Sequence, residues 1–313
     1  MYELLISTTA SYLLGDTILQ FSVTIGLFLT AMGIGSWCSR VILDDLIRSF
    51  VLIELLVGLV GGLSVPTLFF VYGSAPAEFP PVMYATIAVI GVLIGLEVPL
   101  VTRVLAGTHQ LRVNLANVLS FDYLGGLLGS LAFPLVLLPH LGMVRTALLV
   151  GTLNVLVASV TALVYRQQMQ GNRLTAVTLA GALLTLLVLF AASDPLSAGL
   201  EQRLYRYPII LSTQTAYQRL VVTEWHGDVR LFIDGHLQFS SRDEYRYHET
   251  LVHPAMAAVA QHRNILIVGG GDGLAAREVL MNFDELTGHF KWSFGGRQSA
   301  GEFRSRGRTD RGR

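Results

Sequence analysis

Charge is what this 313-residue sequence most lacks. Asp, Glu, Lys and Arg make up 14% of it, against about a quarter in an ordinary soluble domain, and the mean hydropathy is +0.55. A wholly water-soluble protein is therefore not expected. Cysteine is scarcer still: Cys38 stands alone, which excludes a disulfide framework and a cysteine-built metal cage. It lies in an apolar run, where packing is its expected role. The formal net charge is zero, without the basic excess that nucleic-acid binding asks for. The shortage is uneven. Residues 1–193 hold seven arginines and eight acids, whereas the shorter stretch 194–313 holds 29 charges. A part suited to lipid precedes a part suited to water.

Six runs in the first part are apolar over about the 20 residues that a bilayer-crossing helix needs: 17–37, 49–72, 82–100, 117–139, 146–165 and 174–193. Six in succession, joined by short connections, predict an α-helical membrane bundle over 1–193, because lipid leaves the backbone no other way to satisfy itself. Gly125 and Gly129 have the spacing that lets helices approach closely. The segment before residue 17 is too short to span and reads as the end of an earlier apolar segment, so the natural chain is expected to begin upstream. Arginines 40, 48, 103, 112, 166 and 173 fall on connections of one face, which should be cytoplasmic. Glu54, Glu97 and Asp122 lie within runs. Acids at that depth should face the bundle interior, either as a cation path or as protonated, hydrogen-bonded groups.

From 194 the pattern changes. Residues 194–211 read as an amphipathic linker. Strand-like alternation follows at 217–225, 229–233 and 237–239, with His226-Gly227 and Asp234-Gly235 as turns. This predicts a small antiparallel meander. A helix is expected over 244–260, capped by Asp243 or Ser241. The run Ile265-Leu266-Ile267-Val268 suits a buried parallel strand. It enters Gly269-Gly270-Gly271-Asp272-Gly273 and then a helical stretch from Leu274. Strand, glycine loop and helix in that order make a nucleotide-type binding loop, with free N–H groups at the helix start. Asp272 inside the loop argues against a pyrophosphate and for a cationic ligand, an adenosyl-sulfonium or an amine. The bland readings are a core histidine at 248 and a helix-capping role for Asp272.

Tyr217-Gln218, Ile233-Asp234-Gly235 with Gln238, Asp243-Glu244-Tyr245 with Tyr247-His248-Glu249, and the glycine loop with Arg277-Glu278 together resemble spermidine synthase. The whole chain is similar to the bacterial membrane-bound polyamine aminopropyltransferases. The resemblance implies an α-helical membrane bundle followed by an α/β domain, a β meander plus the start of a Rossmann-like, methyltransferase-type fold, over 212–280. It implies transfer of an aminopropyl group from decarboxylated S-adenosylmethionine to putrescine, giving spermidine and methylthioadenosine, with no metal or further cofactor. By resemblance, Gln218, Gly269, Gly270, Gly271 and Gly273 bind the donor, and His248 and Asp272 bind the polyamine. Tyr247 and Glu249 neighbour that site.

The family's proton-accepting Asp has no counterpart in this sequence, so no catalytic residue is assigned. The α/β domain is expected to be truncated, the chain inactive as it stands, and 281–313 a disordered, non-family tail: its 33 residues hold seven basic and four acidic side chains with little to bury. The expected partners are the polyamine, the donor and a lipid bilayer, with no nucleic acid; a homo-oligomer is left open. The expected location is the cell (inner) membrane, multi-pass. The substrates call for a cytoplasmic soluble part, whereas six spans and the arginine rule place it on the opposite side. The alternative function is a polyamine or cation transporter or sensor; methyl transfer on the same fold is a third reading, which the amine-type residues disfavour.

Overall fold

The computed structural model describes residues 1–105, 111–169, 173–215, 218–259, 264–281, 289–294 and 297–300. The chain forms two compact units, Met1–Thr223 with Ile233–His236, and Glu224–Phe232 with the chain from Leu237 onward.

The first unit is helical. Its elements are α1 (Tyr2–Leu14), α2 (Thr17–Cys38), α3 (Leu46–Ser74), α4 (Phe79–Leu105), α5 (Leu111–Ala132), α6 (Leu138–Val164), α7 (Arg173–Ala191) and α8 (Ser193–Gln202). Among the described residues five stretches are long and apolar enough to cross a membrane: Thr17–Val41, Leu46–Ser74, Pro76–Leu105, Leu115–Val164 and Arg173–Ala191. The fourth has 50 residues. At 1.5 Å per residue it is roughly 75 Å long, more than twice a bilayer's hydrocarbon core, so it is not one crossing. A π turn over Phe133–Leu137 contains Pro134, and Gly142 leaves helical geometry altogether (φ 72°, ψ 178°). The fourth and fifth runs expected from sequence are thus two helices meeting at Gly142.

Backbones in this unit touch through glycine. A Cβ on Gly151 of α6 would lie 2.5 Å from the Gly58 carbonyl oxygen and 2.7 Å from Gly62 Cα on α3. On α2 and α4, a Cβ on Gly35 would overlap the Val92 carbonyl, and one on Gly95 the Met32 carbonyl. The pair expected to serve this purpose, Gly125 and Gly129, does not. Gly125 meets nothing within 4 Å among the described residues, and Gly129 meets the Met1 side chain. Spacing marks glycines capable of close approach, but only the partner helix decides which are used. Gly35→Ala together with Gly95→Ala should push α2 from α4 and destabilise the bundle by about 1–3 kcal/mol for each contact. Detergent-solubilised thermal denaturation checks this, with Gly125→Ala as the neutral comparison.

Of the three acids, Glu54 is buried, Glu97 is half-buried with no hydrogen-bond partner for Oε1 among the described residues, and Asp122 is exposed.

Strands β1 (Ile209–Gln214), β2 (Arg219–Trp225), β3 (Asp228–Ile233) and β4 (His236–Ser240) form a sheet in that order, the expected meander. Both turns have positive φ at both central residues, 49° and 77° at His226-Gly227 and 48° and 82° at Asp234-Gly235, the geometry of tight hairpin turns. The first half of β1, Ile209–Leu211, falls where a linker was expected. The strand pairs antiparallel with β2, with an irregularity between Ile209 and Leu211.

Beneath β1 and β2 lies a buried ion pair. Arg219 grips both carboxylate oxygens of Glu201, at 2.5 and 2.7 Å. Ser212 Oγ donates to the same carboxylate at 2.9 Å, and the Tyr12 hydroxyl lies 3.5 Å from it and 3.0 Å from that of Tyr205. Glu201 is 5% exposed. Burial works against the Arg219 charge, but the bidentate carboxylate outweighs it and holds the guanidinium above its usual pKa. One carboxylate thereby ties α1, α8, β1 and β2 together.

In the second unit α9 (Glu244–Ala257) packs on α10 (Leu274–Met281) through Val252, Met256, Ala275 and Val279, with Ile265 and Ile267 of β5 (Asn264–Val268) against them. Asp243 occupies the N-cap position of α9 without a side-chain bond. The stretch 281–313, expected to be disordered, contains β6 (His289–Phe294), parallel to β5, and β7 (Arg297–Ala300), antiparallel to β6. The run His-Phe-Lys-Trp-Ser-Phe alternates polar and aromatic residues, a strand period without β-branched residues, and β5 offers an edge to pair with. The rest of that stretch lies outside the described residues.

Candidate amine-binding site

α9 and the loop between β5 and α10 place the central pair. His248, one turn into α9, is 4% exposed. Its Nδ1 lies 2.8 Å from the Glu244 carbonyl oxygen and 2.9 Å from Glu244 Oε2. Both partners are acceptors, so Nδ1 carries a proton, and in the corresponding neutral tautomer Nε2 presents a lone pair. Nε2 faces Asp272 Oδ2 at 3.8 Å. In that tautomer the two atoms face each other as acceptors, and the N–H donors of a bound cation would satisfy both.

Asp272 is held for this position. Its Oδ1 accepts the Leu274 N–H at 3.0 Å, so the capping reading is correct and leaves Oδ2 available toward His248. The loop bends through positive φ at Gly269 (86°), Gly270 (62°) and Gly273 (75°), values that side-chain-bearing residues rarely adopt. A Cβ on Gly269 or Gly273 would meet nothing within 4 Å among the described residues. Space therefore remains above the loop for a ligand to reach backbone.

Glu244, Arg277, Glu278 and His253 complete the arrangement without having been singled out individually from sequence. Arg277 lies 2.7 Å from Glu244 Oε1 and 2.7 Å from Glu278 Oε1. The Glu278 and Glu244 carboxylates hold its guanidinium above the usual range. Glu278 Oε2 lies 3.4 Å from His253 Nε2. Glu244 is thus fixed by Arg277 and in turn fixes the His248 ring. The i, i+4 spacing of Glu244 and His248 was the available signal; the 33-residue separation of Glu244 from Arg277 hid the rest. The Tyr247 ring meets that of His248 edge-on, centroids 5.1 Å apart, and is largely exposed, as is Glu249.

Gln218 lies in the first unit. Its N–H donates to Thr215 Oγ1 at 3.0 Å and its carbonyl accepts the Thr215 N–H at 2.9 Å. Tyr217 lies outside the described residues. Among the described residues no group of His, Cys, Asp and Glu is arranged to hold a metal.

A strand, a glycine loop, a helix and a carboxylate–histidine pair come together in this α/β unit. Residues 244–284 match the model of the spermine/spermidine synthase domain. Over 287 residues the chain is 50% identical to polyamine aminopropyltransferase 2 of Ralstonia nicotianae, covering 89% of this chain and 56% of that protein. It is 47% identical over 281 residues to the polyamine aminopropyltransferase of Leptospira interrogans (90% and 56%). With that of Oceanobacillus iheyensis it shares 42% over 287 residues (90% and 55%). The chain is thus related to the polyamine aminopropyltransferases, and it spans about half the length of these curated relatives. No solved structure matches it.

Proposed function

We propose that the second unit holds the charged end of a diamine between His248 Nε2 and Asp272 Oδ2, as part of an aminopropyl transfer from decarboxylated S-adenosylmethionine to putrescine. The observation that carries the reading is the 3.8 Å between two acceptors. An ammonium nitrogen placed to one side of the line joining them can reach both at charge-assisted hydrogen-bond distance, about 2.8 Å from each. Attack on a sulfonium-activated carbon needs a neutral amine held at the right distance and angle. A diamine anchored by one protonated end offers the other for attack. The glycine loop is the proposed donor-binding element.

Among the described residues Asp272 alone is a carboxylate within ion-pair reach of His248 Nε2. It already binds the ammonium in this scheme, so the 313-residue chain is proposed to bind the diamine without turning it over. Equilibrium dialysis of radiolabelled putrescine against the purified chain should show saturable binding. Putrescine should compete and neutral butanediol should not. Binding of both with equal strength would refute an ammonium site.

The long apolar helices, with Ile18, Val41, Leu163, Leu174 and Val177 each more than two-thirds exposed, support insertion in a bilayer, since aqueous surfaces rarely present apolar patches on that scale. The proposed location is the cell membrane. The substrates favour a cytoplasmic second unit, and a reporter fused at Leu211 tests the side.

A further inference from the structure

The ends of α2 and α4 line an open cavity of about 570 Å³, bounded by Ser36, Ser39, Arg40, Thr102 and Arg103 with Val98, Pro99 and Leu115. Among the described residues its lining holds two arginines and no acid. Arg103 donates from Nη1 to the Ile42 carbonyl and from Nη2 to the Ser39 carbonyl, both at 2.7 Å. Those bonds close the C-terminal end of α2 and fix the guanidinium at the cavity wall, while three of its five N–H donors take no part in them. Arg40 stacks its guanidinium over the Trp37 ring, 3.6 Å from the centroid, which orients its charge without neutralising it. Just outside, Ile34, Trp37, Val41 and Leu43 are each at least half exposed. One small volume therefore joins two oriented guanidiniums, hydroxyl groups, an interfacial tryptophan and an apolar exterior.

We propose that this cavity binds the phosphate headgroup of an anionic phospholipid, with its acyl chains along the exposed apolar faces of α2 and the following turn. Arginine suits the task because its planar donors match phosphate oxygens in pairs. The cavity lies at arginine-bearing connections of the helices, with Arg40 and Arg103 in its wall, and anionic lipid attracts basic pockets between helices. A free phosphate shares the headgroup chemistry but gains nothing from Ile34, Val41 and Leu43, so the lipid is the chosen occupant.

The inference rests on insertion in a bilayer, and the experiment separates the two. The full chain is reconstituted in phosphatidylcholine vesicles and floated on a density gradient; failure to float overturns the membrane reading and this site with it. Given flotation, delipidated protein is exchanged with equimolar phosphatidylglycerol and phosphatidylcholine, and the retained lipids are counted by native mass spectrometry. Phosphatidylglycerol should be retained in preference, and Arg40→Gln should cut the preference about fivefold, the effect of one arginine near an anionic surface. Arg40 is the informative position because Arg103→Gln also opens the end of α2. Equal retention of the two lipids, an unchanged preference in Arg40→Gln, or displacement of phosphatidylglycerol by millimolar inorganic phosphate would overturn the lipid assignment while leaving membrane insertion intact.

Discussion

Arg219→Met should lower the stability of the first unit by about 3–5 kcal/mol, the usual cost of removing one member of a buried ion pair. The side chains are 24% and 6% exposed for Arg219 and Glu201, so solvent screens the pair little. Loss of Arg219 leaves the Glu201 carboxylate facing the Ser212 hydroxyl and the Tyr12 hydroxyl, which is shared with Tyr205, donors too few to replace a bidentate guanidinium. Glu201→Gln should also destabilise, by leaving the guanidinium half-satisfied. The double variant Arg219→Met with Glu201→Gln should recover part of the loss, because no uncompensated charge then remains. The resulting double-mutant cycle gives the coupling between the two directly. Thermal denaturation in detergent, followed by tryptophan fluorescence and far-ultraviolet circular dichroism, is the measurement. Single variants within 1 kcal/mol of the parent would show that Glu201 is not the tie between α1, α8 and the first two strands.

Local order was legible wherever one residue period or one turn chemistry sufficed. The strand over 264–268, its glycine loop and the start of the following helix stand where Ile265–Val268 and five clustered small or turn-forming residues put them. His226-Gly227 and Asp234-Gly235 make tight turns because Gly and a short polar neighbour tolerate positive φ. Less legible was anything decided by a distant partner. The first half of β1 falls in the expected linker and the second half in no expected strand, since Ile209–Gln214 shows itself as a strand only through its pairing with β2. Glu201, in the middle of that supposed linker, gave no hint that it would meet Arg219. β6 hid behind a composition rich in charge and poor in Val and Ile. The used glycines, 35, 58, 62, 95 and 151, differ from the expected pair for the same reason: a helix sequence shows which faces are narrow, not which neighbour presses on them. In the site, His248 and Asp272 came from motif order. The Arg277 clamp on Glu244, which sets the tautomer, came from the fold.

Asp272→Asn is the variant on which the amine site stands. The substitution keeps an oxygen that accepts the Leu274 N–H, now received by Asp272 Oδ1 at 3.0 Å, so the loop and the start of α10 should persist. It removes the negative charge opposite His248 Nε2. A hydrogen bond to a charged partner contributes about 1.5–3 kcal/mol, so the dissociation constant for putrescine should rise roughly 10- to 100-fold. Asp272→Ala should lose the same affinity and, in addition, about 0.5–2 kcal/mol of stability, because the capping acceptor goes as well. Affinity lost in both variants but stability lost only in alanine would separate the two oxygens' tasks. Glu244→Gln tests the second part of the arrangement. It keeps a side-chain acceptor for His248 Nδ1 but gives up the carboxylate that Arg277 holds at 2.7 Å, so affinity should fall by less than in Asp272→Asn. The ranking Asp272→Asn above Glu244→Gln above Tyr247→Phe follows from distance to the ammonium. An Asp272→Asn protein that binds putrescine as tightly as the parent would remove the ammonium from between His248 and Asp272, and with it the physical basis for reading this unit as an amine site.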